Sequence, residues 1–488
     1  MTDILLTHSY FLRLDSKEYR AMMPYPPLGT LYAAAVLRER GYSVALFDSM
    51  LARGTRDFES ALSTHRPRLV AIYDDDFNYL SKMCLGKMRG AAFTMIEIAR
   101  SHGCHVVVHG SDPSDHAVAF LQRGANEVIL GEGEMTLREV ADWRLRGTGD
   151  RAAIRGLTFF EDSGLRVTPR RDPVEDLDQL PFPARDLVDM NAYRRLWRKR
   201  HGYHSVNVVT TRGCPFHCNW CAKPIYGQAY HARTPRNVYQ EMELLRREVR
   251  ADHVWFCDDI FGLKPGWIQE FADEVERGGT IIPFKCQARV DLLLKGDTIR
   301  QLARAGCANV WVGAESGSQK ILDAMEKGTT VDQIVAAARR LREEGVRVGF
   351  FLQFGYPGET RQDIEMTLEM VRRCRPDDIG VSVSYPLPGT GFYERVRQQM
   401  GEKRNWTDSE DLAMMFQGTY SPDFYRVLHR LAHKRLRAWQ AKDIATTMIR
   451  EQRWIPRAGL RRLLAGGYHS LTLPFVERQL QAMEGKGG

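Results

Sequence analysis

Long apolar runs and a disulfide-type cysteine pattern are both missing from this sequence. No stretch of about 18 consecutive apolar residues occurs, so we expect no helix that spans a membrane. The N-terminus, MTDILLTHSYF, lacks a basic segment followed by an apolar one and a small-residue cleavage site, so we expect no secretory signal and a cytoplasmic location. Nine cysteines in 488 residues do not make a disulfide framework, and six of them are scattered. In a reducing compartment, a group of cysteines indicates a metal before a disulfide.

Residues 1–145 alternate short apolar strands with helical stretches. The predicted strands are Asp3–His8, Ser43–Asp48, Arg68–Tyr73, Cys104–His109 and Glu127–Leu130, and the predicted helices include Leu28–Arg40 and Ala91–His102. This alternation predicts an α/β domain with a doubly wound, Rossmann-like parallel sheet. Ligands of such sheets bind at the carboxyl ends of the strands.

Residues 201–400 repeat the alternation after a connector, residues 146–200, that contains a predicted hairpin. The six strand candidates are Ser205–Thr210, His253–Phe256, Pro283–Ala288, Asn309–Gly313, Arg347–Gln353 and Asp378–Ser384. Six βα units predict a partial (β/α)6 barrel with its active site at the C-terminal ends of the strands. Residues 401–488 are predicted to form a helical, basic C-terminal region.

Three cysteines crowd into eight residues directly after the first strand of the predicted barrel. They are spaced C-x3-C-x2-C, at Cys214, Cys218 and Cys221. Three thiolates on one loop can hold one face of a cuboidal cluster, and no fourth cysteine lies nearby. One iron would therefore stay open to a small molecule. Zinc, with His217 or His231 as a fourth ligand, is the alternative.

With the aromatic Trp220 just before the last cysteine, this segment resembles the signature of the radical S-adenosylmethionine (SAM) superfamily. The resemblance implies a [4Fe–4S] cluster on the three cysteines, with SAM bound to the fourth iron through its amino and carboxylate groups. It also implies cleavage of SAM to methionine and a 5′-deoxyadenosyl radical that abstracts hydrogen from a substrate. An electron donor such as flavodoxin or ferredoxin would supply the electron.

Further segments at the predicted strand ends resemble SAM-binding motifs of this family. The contacts implied by the resemblance come from Trp220, Asp258, Asp259, Arg289, Glu315, Ser316 and, along the adenine, Gln353. An aspartate after the second strand would pair with the SAM ammonium, or cap the next helix instead. Glu315 and Ser316 lie in a G-x-E-S-G segment, and Ser316 has helix capping as its alternative role. Arg289 would neutralise a carboxylate or form an ordinary ion pair.

Residues 1–145 resemble the cobalamin-binding domain that precedes many radical SAM cores, through Pro24–Asp48 and Ala125–Leu137. The cobalamin contacts implied by this resemblance are Pro27, Leu28, Ser111, Gly131, Glu132 and Gly133. The D-x-H-x-x-G signature, whose histidine ligates cobalt in many such proteins, is absent, since Asp115-His116 continues as Ala-Val-Ala. Cobalamin would then be held without a protein histidine, or only the fold is kept.

The leading hypothesis is a cobalamin-dependent radical SAM enzyme that modifies an unactivated carbon of a small metabolite or lipid, by C-methylation or by cyclisation or rearrangement. A methylthiotransferase-like tRNA-modifying enzyme is the second hypothesis. Such enzymes usually carry three further N-terminal cysteines and a C-terminal β-domain, whereas residues 1–145 contain only Cys84 and Cys104. A non-catalytic iron–sulfur or zinc-binding protein is the third.

Excess positive charge is confined to the C-terminal segment. Residues 430–488 contain 12 Lys and Arg against 4 Asp and Glu and so account for the whole net charge of +8. Nucleic acid is disfavoured as a partner, because no basic patch is interleaved with stacking aromatics. The mixed basic and apolar stretch His433–Trp439 leaves a peripheral membrane contact open. A cap over the barrel mouth is the favoured alternative, and a plain solvated helix face is the third.

Overall fold

The described part of this computed structural model is residues 2–223, 225–451 and 457–484. The chain divides into two compact units. The first comprises Met1–Phe216, Lys223–Cys286 and Asn405–Asp411, and the second His217–Ala222, Gln287–Arg404 and Leu412–Gly488. The four-part domain division expected from the sequence stays a prediction.

The first unit contains a seven-stranded sheet. Its strands are β1 (Ile4–Thr7), β2 (Val44–Phe47), β3 (Leu69–Tyr73), β4 (His105–His109), β5 (Glu127–Ile129), β6 (Leu157–Glu161) and β7 (Gly164–Val167). They lie in the order β2-β1-β3-β4-β5-β6-β7, with the first five parallel, as predicted. The predicted hairpin is β6–β7, and it extends this sheet because β6 pairs antiparallel with β5. The chain order reverses between β1 and β3, which is where doubly wound sheets bind ligands.

Helices cover both faces of this sheet because successive side chains of its strands point to opposite sides. In chain order the helices of this region are α1 (Ser16–Ala21), α2 (Leu28–Glu39), α3 (Thr55–His65), α4 (Tyr79–Lys82), α5 (Gly86–Ser101), α6 (Ser111–Asp115), α7 (Ala117–Gln122) and α8 (Glu134–Ala141). Leu6 and Val107 belong to a core with residues of α2 and α8, whereas Leu5 and Val106 belong to a core with residues of α3 and α5. The near-continuous apolar strands are therefore buried on both sides.

A second sheet of six parallel strands forms the predicted partial barrel. In chain order the elements are α9 (Met190–His201), β8 (Ser205–Val208), β9 (Thr211–Arg212), β10 (His231–Ala232), α10 (Pro235–Leu244), β11 (His253–Phe256), α11 (Trp267–Gly278), β12 (Phe284–Ala288), α12 (Val290–Leu293), α13 (Thr298–Arg304), β13 (Cys307–Glu315), α14 (Gln319–Ala324), α15 (Val331–Glu343), β14 (Arg347–Phe354), α16 (Arg361–Cys374), β15 (Asp378–Val383) and α17 (Gly391–Val396). The strand order is β15-β14-β13-β12-β11-β8, and β9 pairs only with β10. All six predicted barrel strands are thus confirmed.

Two long helices, α18 (Pro422–Glu451) and α19 (Arg457–Glu484), form the predicted helical C-terminal region. They pack against each other closely. Gly466 of α19 makes this possible, because a Cβ at that position would lie 2.0 Å from the Cβ of Ala441. Among the described helices, none combines the length and apolar character needed to cross a membrane.

Candidate functional site

The cysteine loop leaves the barrel through a turn that only glycine can make. Gly213 has φ +77°, and a Cβ there would lie 2.0 Å from the carbonyl oxygen of Ala229. The backbone N–H of Cys214 donates to the carbonyl of Gly227 at 3.4 Å. β9 and β10 also pair on either side of this segment, so backbone hydrogen bonds help to hold the start of the loop.

Asn219, between the second and third cysteines, fixes the rest of the loop. Its side-chain amide donates to the carbonyl of Ala324 at 2.9 Å and to the carboxylate of Glu326 at 3.1 Å. Its side-chain oxygen accepts from the Tyr356 hydroxyl at 2.9 Å. Its backbone N–H donates to Met325 and its carbonyl accepts from Phe392. The sequence reasoning missed Asn219, although its place inside the cysteine spacing was a usable signal.

The three cysteine thiols are partly exposed, and none forms a disulfide. Arg289 Nη1 lies 3.8 Å from Cys218 Sγ, and the buried Lys327 also interacts electrostatically with that thiol. Cationic neighbours suit the negative charge that thiolate ligands bring to an iron–sulfur cluster. Accessible thiols on a backbone-fixed loop next to two cations therefore fit the predicted cluster. The described residues include no group of three or more His, Cys, Asp or Glu placed to hold a single metal ion.

The predicted pair of aspartates after β11 divides into two roles. Asp258 is buried and accepts the backbone N–H groups of Thr210 and Thr211, each at 2.6 Å, and both threonine hydroxyls at 3.0 Å. Burial raises the pKa of Asp258 to about 6 despite these hydrogen bonds. Asp259 is partly exposed and pairs with Lys82 at 2.5 Å. Asp258 therefore ties the end of β11 to the start of the cysteine loop.

Glu315, at the end of β13, forms a buried ion pair with Lys327 at 2.8 Å. Its backbone has φ +55°, and the pairing with β14 shifts register at this point. The positive charge of Lys327 lies 5.7 Å above the ring of Trp220, whose indole Nε1 is buried without a hydrogen-bond partner among the described residues. Lys327, which sequence reasoning missed, thus links Glu315 to Cys218 and Trp220 of the cysteine loop.

The other predicted SAM-site residues of the second unit have partners within the protein. The Ser316 hydroxyl lies 3.1 Å from that of Thr367 and accepts the backbone N–H of Ser318. The Gln353 amide donates to the Ser384 hydroxyl at 3.0 Å. Arg289 Nε donates to Asp291 at 3.0 Å. Ser316 sits in the loop before α14, where Ser318 is the N-cap residue.

Arg212, immediately before Gly213, forms a buried ionic cluster with the Gly131–Glu134 turn that follows β5. Arg212 Nη2 lies 2.6 Å from Glu134 Oε1, and Nη1 lies 3.3 Å from Glu132 Oε2. Tyr32, Phe77 and Tyr226 surround the guanidinium at 5.3–5.8 Å from their ring centres. Burial raises the pKa of Glu132 although Arg212 opposes it, whereas at Glu134 Arg212 outweighs burial and the pKa is lowered.

Residues predicted to contact cobalamin lie at this same edge of the first sheet. Ser111 donates to Asp76 through its backbone and hydroxyl, and Leu28 is fully buried at the start of α2, directly after Pro27. Glu132 accepts from Arg212 and from the backbone N–H of Val174. Gly131 has φ +76°. A Cβ at Gly133 would lie 2.7 Å from His109 and Tyr73.

Acidic and imidazole groups fill the remainder of this edge. Asp74 accepts the backbone N–H of Ser9 at 2.7 Å, and Asp75 accepts that of Gly29 at 2.9 Å. Both carboxylates therefore hold the backbone that follows β1 and begins α2. Asp76 lies 3.4 Å from Nδ1 of His109, and burial raises the pKa of Asp76 to about 8. His109 Nε2 lies 2.8 Å from the carbonyl of Gly131, and burial lowers the pKa of His109.

Comparisons with known proteins identify a radical SAM domain in this chain. Residues 208–371 match the model of the radical SAM superfamily. An uncharacterized methyltransferase of Pyrococcus horikoshii is 27% identical over 375 residues, covering 76% of this chain and 78% of that protein. The anaerobic magnesium-protoporphyrin IX monomethyl ester cyclase of Rubrivivax gelatinosus is 26% identical over 405 residues, covering 79% and 68% respectively.

The fold is shared with solved radical SAM proteins. The methyltransferase TsrM from Kitasatospora setae, with cobalamin and a [4Fe–4S] cluster bound, superposes with a TM-score of 0.65 at 20% identity, over 82% of this chain and 75% of TsrM. The radical SAM enzyme OxsB, with aqua-cobalamin and SAM bound, gives 0.66 at 18% identity, over 81% and 55%. Residues 208–371 thus form a radical SAM domain, so the chain is a radical SAM enzyme, and its fold is shared with these two solved proteins.

Proposed function

We propose that this enzyme modifies an unactivated carbon of a small molecule or lipid, by C-methylation or by cyclisation, with a [4Fe–4S] cluster, SAM and cobalamin. The observation that carries the proposal is the cysteine loop, with three accessible thiols held by Gly213 and Asn219. A cluster on Cys214, Cys218 and Cys221 would supply the electron that cleaves SAM. The relatives named above are methyltransferases and a cyclase, which supports the two reaction types.

The protein's own contribution at the SAM site is electrostatic. Lys327 and Arg289 would offset negative charge at the thiolates and at the carboxylate of SAM, and Glu315 holds Lys327 in place by its ion pair. Asp258 holds Thr210 and Thr211, which precede the cysteine loop, against the end of β11. In this proposal Trp220, Asp259, Ser316 and Gln353 keep their predicted contacts to SAM.

Cobalamin is assigned to the carboxyl edge of the first sheet, at the switch between β1 and β3. Most of the polar groups there are used within the protein, but Glu132 Oε1 is buried without a hydrogen-bond partner among the described residues. His109 Nδ1 has no hydrogen bond either, apart from its 3.4 Å approach to Asp76. Two buried acceptors beside the Gly131 turn suit the carboxamide donors of cobalamin. Pro27, Leu28, Ser111 and Gly133 would contribute packing and backbone groups.

Radical SAM enzymes of this kind act on small molecules and take electrons from a donor. Flavodoxin or ferredoxin is the donor that we assign to this enzyme.

The helical C-terminal region disfavours the methylthiotransferase hypothesis, since α18 and α19 occupy the place where a β-domain was expected for that class of enzyme.

Anaerobic reconstitution followed by measurement of iron, sulfide and 5′-deoxyadenosine tests the cluster assignment. Cys214→Ala should lose cluster and SAM cleavage together, whereas the matched control Cys374→Ala, at a buried cysteine of α16, should keep both. A Cys214→Ala variant with full SAM cleavage would contradict the proposal. Added hydroxocobalamin, followed by absorption spectroscopy after gel filtration, tests the second cofactor.

The reaction type is separated by the products formed from SAM. Methyl transfer yields S-adenosylhomocysteine together with 5′-deoxyadenosine, whereas cyclisation or rearrangement yields only the latter. Because uncoupled SAM cleavage needs no identified substrate, failure of the cluster assignment is distinguishable from a wrong choice of reaction.

A further inference from the structure

One face of α19 exposes large apolar side chains. Leu464, Tyr468, Leu471 and Phe475 are 69%, 62%, 77% and 72% exposed. Their spacing of 4, 3 and 4 residues confines them to an arc of about 60° on a helix with 3.6 residues per turn. We call these four residues the α19 stripe. It is about 16 Å long, at 1.5 Å per residue.

The opposite face of α19 is the one that packs on the protein. Gly466, Val476 and Leu480 are buried there, and Gly466 sits against Ala441 of α18. The α19 stripe is therefore not the core side of the helix. Isolated exposed apolar residues are normal, but four large ones on a single helix face form a contact surface.

Basic side chains border the α19 stripe. Lys434 Nζ donates to Thr472 Oγ1 at 2.6 Å and lies 4.9 Å above the Tyr468 ring. Arg430 Nη2 donates to Gln479 at 3.4 Å, and Arg478 is exposed on α19 itself. None of these three cations forms an ion pair within the described part of the chain. They leave positive charge beside the stripe uncompensated.

Acidic side chains of the two helices, in contrast, are each engaged by an arginine. Asp423 pairs with Arg426, Asp443 with Arg375 at 3.3 Å, and Glu477 with Arg435 at 2.9 Å. These are all the acidic groups whose side chains the structure describes on α18 and α19. The region around the α19 stripe thus presents apolar and cationic groups together.

We propose that the α19 stripe binds the surface of an anionic lipid bilayer, with its apolar side chains inserted at the interface and Arg430, Lys434 and Arg478 at the level of the headgroups. An apolar helix face flanked by basic residues is the pattern of interfacial helices, and charge complementarity selects anionic lipid. A second copy of this chain fits less well, because two such surfaces would bring like charges together. The stripe is too short to span a bilayer and so lies on it.

Vesicle flotation with the purified holoenzyme tests the proposal. The vesicles are phosphatidylcholine alone, or phosphatidylcholine with about a quarter phosphatidylglycerol. The enzyme should bind the anionic vesicles at least about tenfold more strongly than the neutral ones, and raised salt should weaken this binding. Leu471→Gln/Phe475→Gln should lower binding by about tenfold or more, since half of the stripe is lost. Arg430→Gln/Arg478→Gln should remove most of the preference for anionic lipid.

The matched control is Ile281→Gln/Val118→Gln, which replaces two exposed apolar residues of the first unit, 54% and 42% exposed. It should bind vesicles as the unchanged protein does. Equal binding of all variants, binding without preference for anionic lipid, or no binding at all would overturn the proposal. A dimer in sedimentation equilibrium that the stripe variant converts to a monomer would assign the surface to a second copy instead. These measurements require no turnover, so their outcome is independent of the proposed reaction.

Discussion

Replacing Arg212 by methionine tests how strongly the cysteine loop depends on the first sheet's Gly131–Glu134 turn. The side chains of Arg212, Glu132 and Glu134 are 2%, 4% and 2% exposed. Removing the cation leaves two buried carboxylates without their partner, and breaking a buried pair in this way costs about 3–5 kcal/mol. At about 2–4 °C per kcal/mol for large domains, the melting temperature should fall by about 6–20 °C.

Thermal unfolding by circular dichroism, with iron content measured on the same samples, is the assay. Iron retention should fall as well, because Arg212 directly precedes Gly213 at the start of the loop. Arg38→Gln is the matched control: its guanidinium pairs with Asp186 at 2.8 Å but is exposed, so the loss should be below about 1 kcal/mol. Combining Arg212→Met with Glu132→Gln and Glu134→Gln should restore much of the stability. If Arg212→Met has the same melting temperature as Arg38→Gln, the ionic cluster does not stabilise the carboxyl edge of the first sheet.

Three further changes probe other parts of the site. Gly213→Ala should abolish cluster incorporation while circular dichroism stays near that of the unchanged protein, because its Cβ would overlap the Ala229 carbonyl; normal iron content would refute this. Lys327→Met should lower the free energy of unfolding in urea by about 3–5 kcal/mol, and Lys327→Met/Glu315→Gln should lower it by clearly less. Equal losses in the two variants would show that the ion pair does not stabilise the fold. Burial raises the pKa of Glu359 from 4.5 to about 8, so the folded chain keeps a proton that the unfolded chain releases between these values. The free energy of unfolding should therefore fall as pH rises through this window, by up to about 1.4 kcal/mol per pH unit. Glu359→Gln should flatten that dependence. The same pH dependence of stability in both proteins would contradict the shifted pKa.

The strands and the cysteine loop could be predicted from the sequence because their signals are local. β3 and β4 are apolar runs bounded by polar residues, and the spacing of three cysteines needs no knowledge of distant residues. The partners of the site residues could not be predicted in this way. Arg212 reaches turn residues about 80 positions away along the chain, and nothing in its neighbourhood marks it as a buried cation.

Helix α9 shows a second limit. The predicted connector, residues 146–200, includes nearly all of Met190–His201, a segment that is rich in arginine and lysine and carries few apolar residues. In the structure, Tyr193 and Trp197 are buried while the basic residues extend outward, and the Trp197 indole donates to the carbonyl of Pro24 at 2.7 Å. Two well-placed aromatic side chains are enough to anchor a helix whose composition resembles a linker.

Pairing of β6 with β5 decides where the N-terminal part of this enzyme can be cut. A fragment ending at residue 145 would remove β6 and β7 and leave the Glu127–Ile129 backbone with a bare hydrogen-bonding edge, which invites aggregation. A fragment that continues through Thr168 keeps that edge covered and also retains the bonds between Thr168 and Leu157. Anyone who wishes to isolate the first sheet for cobalamin titration should therefore end the fragment beyond the hairpin.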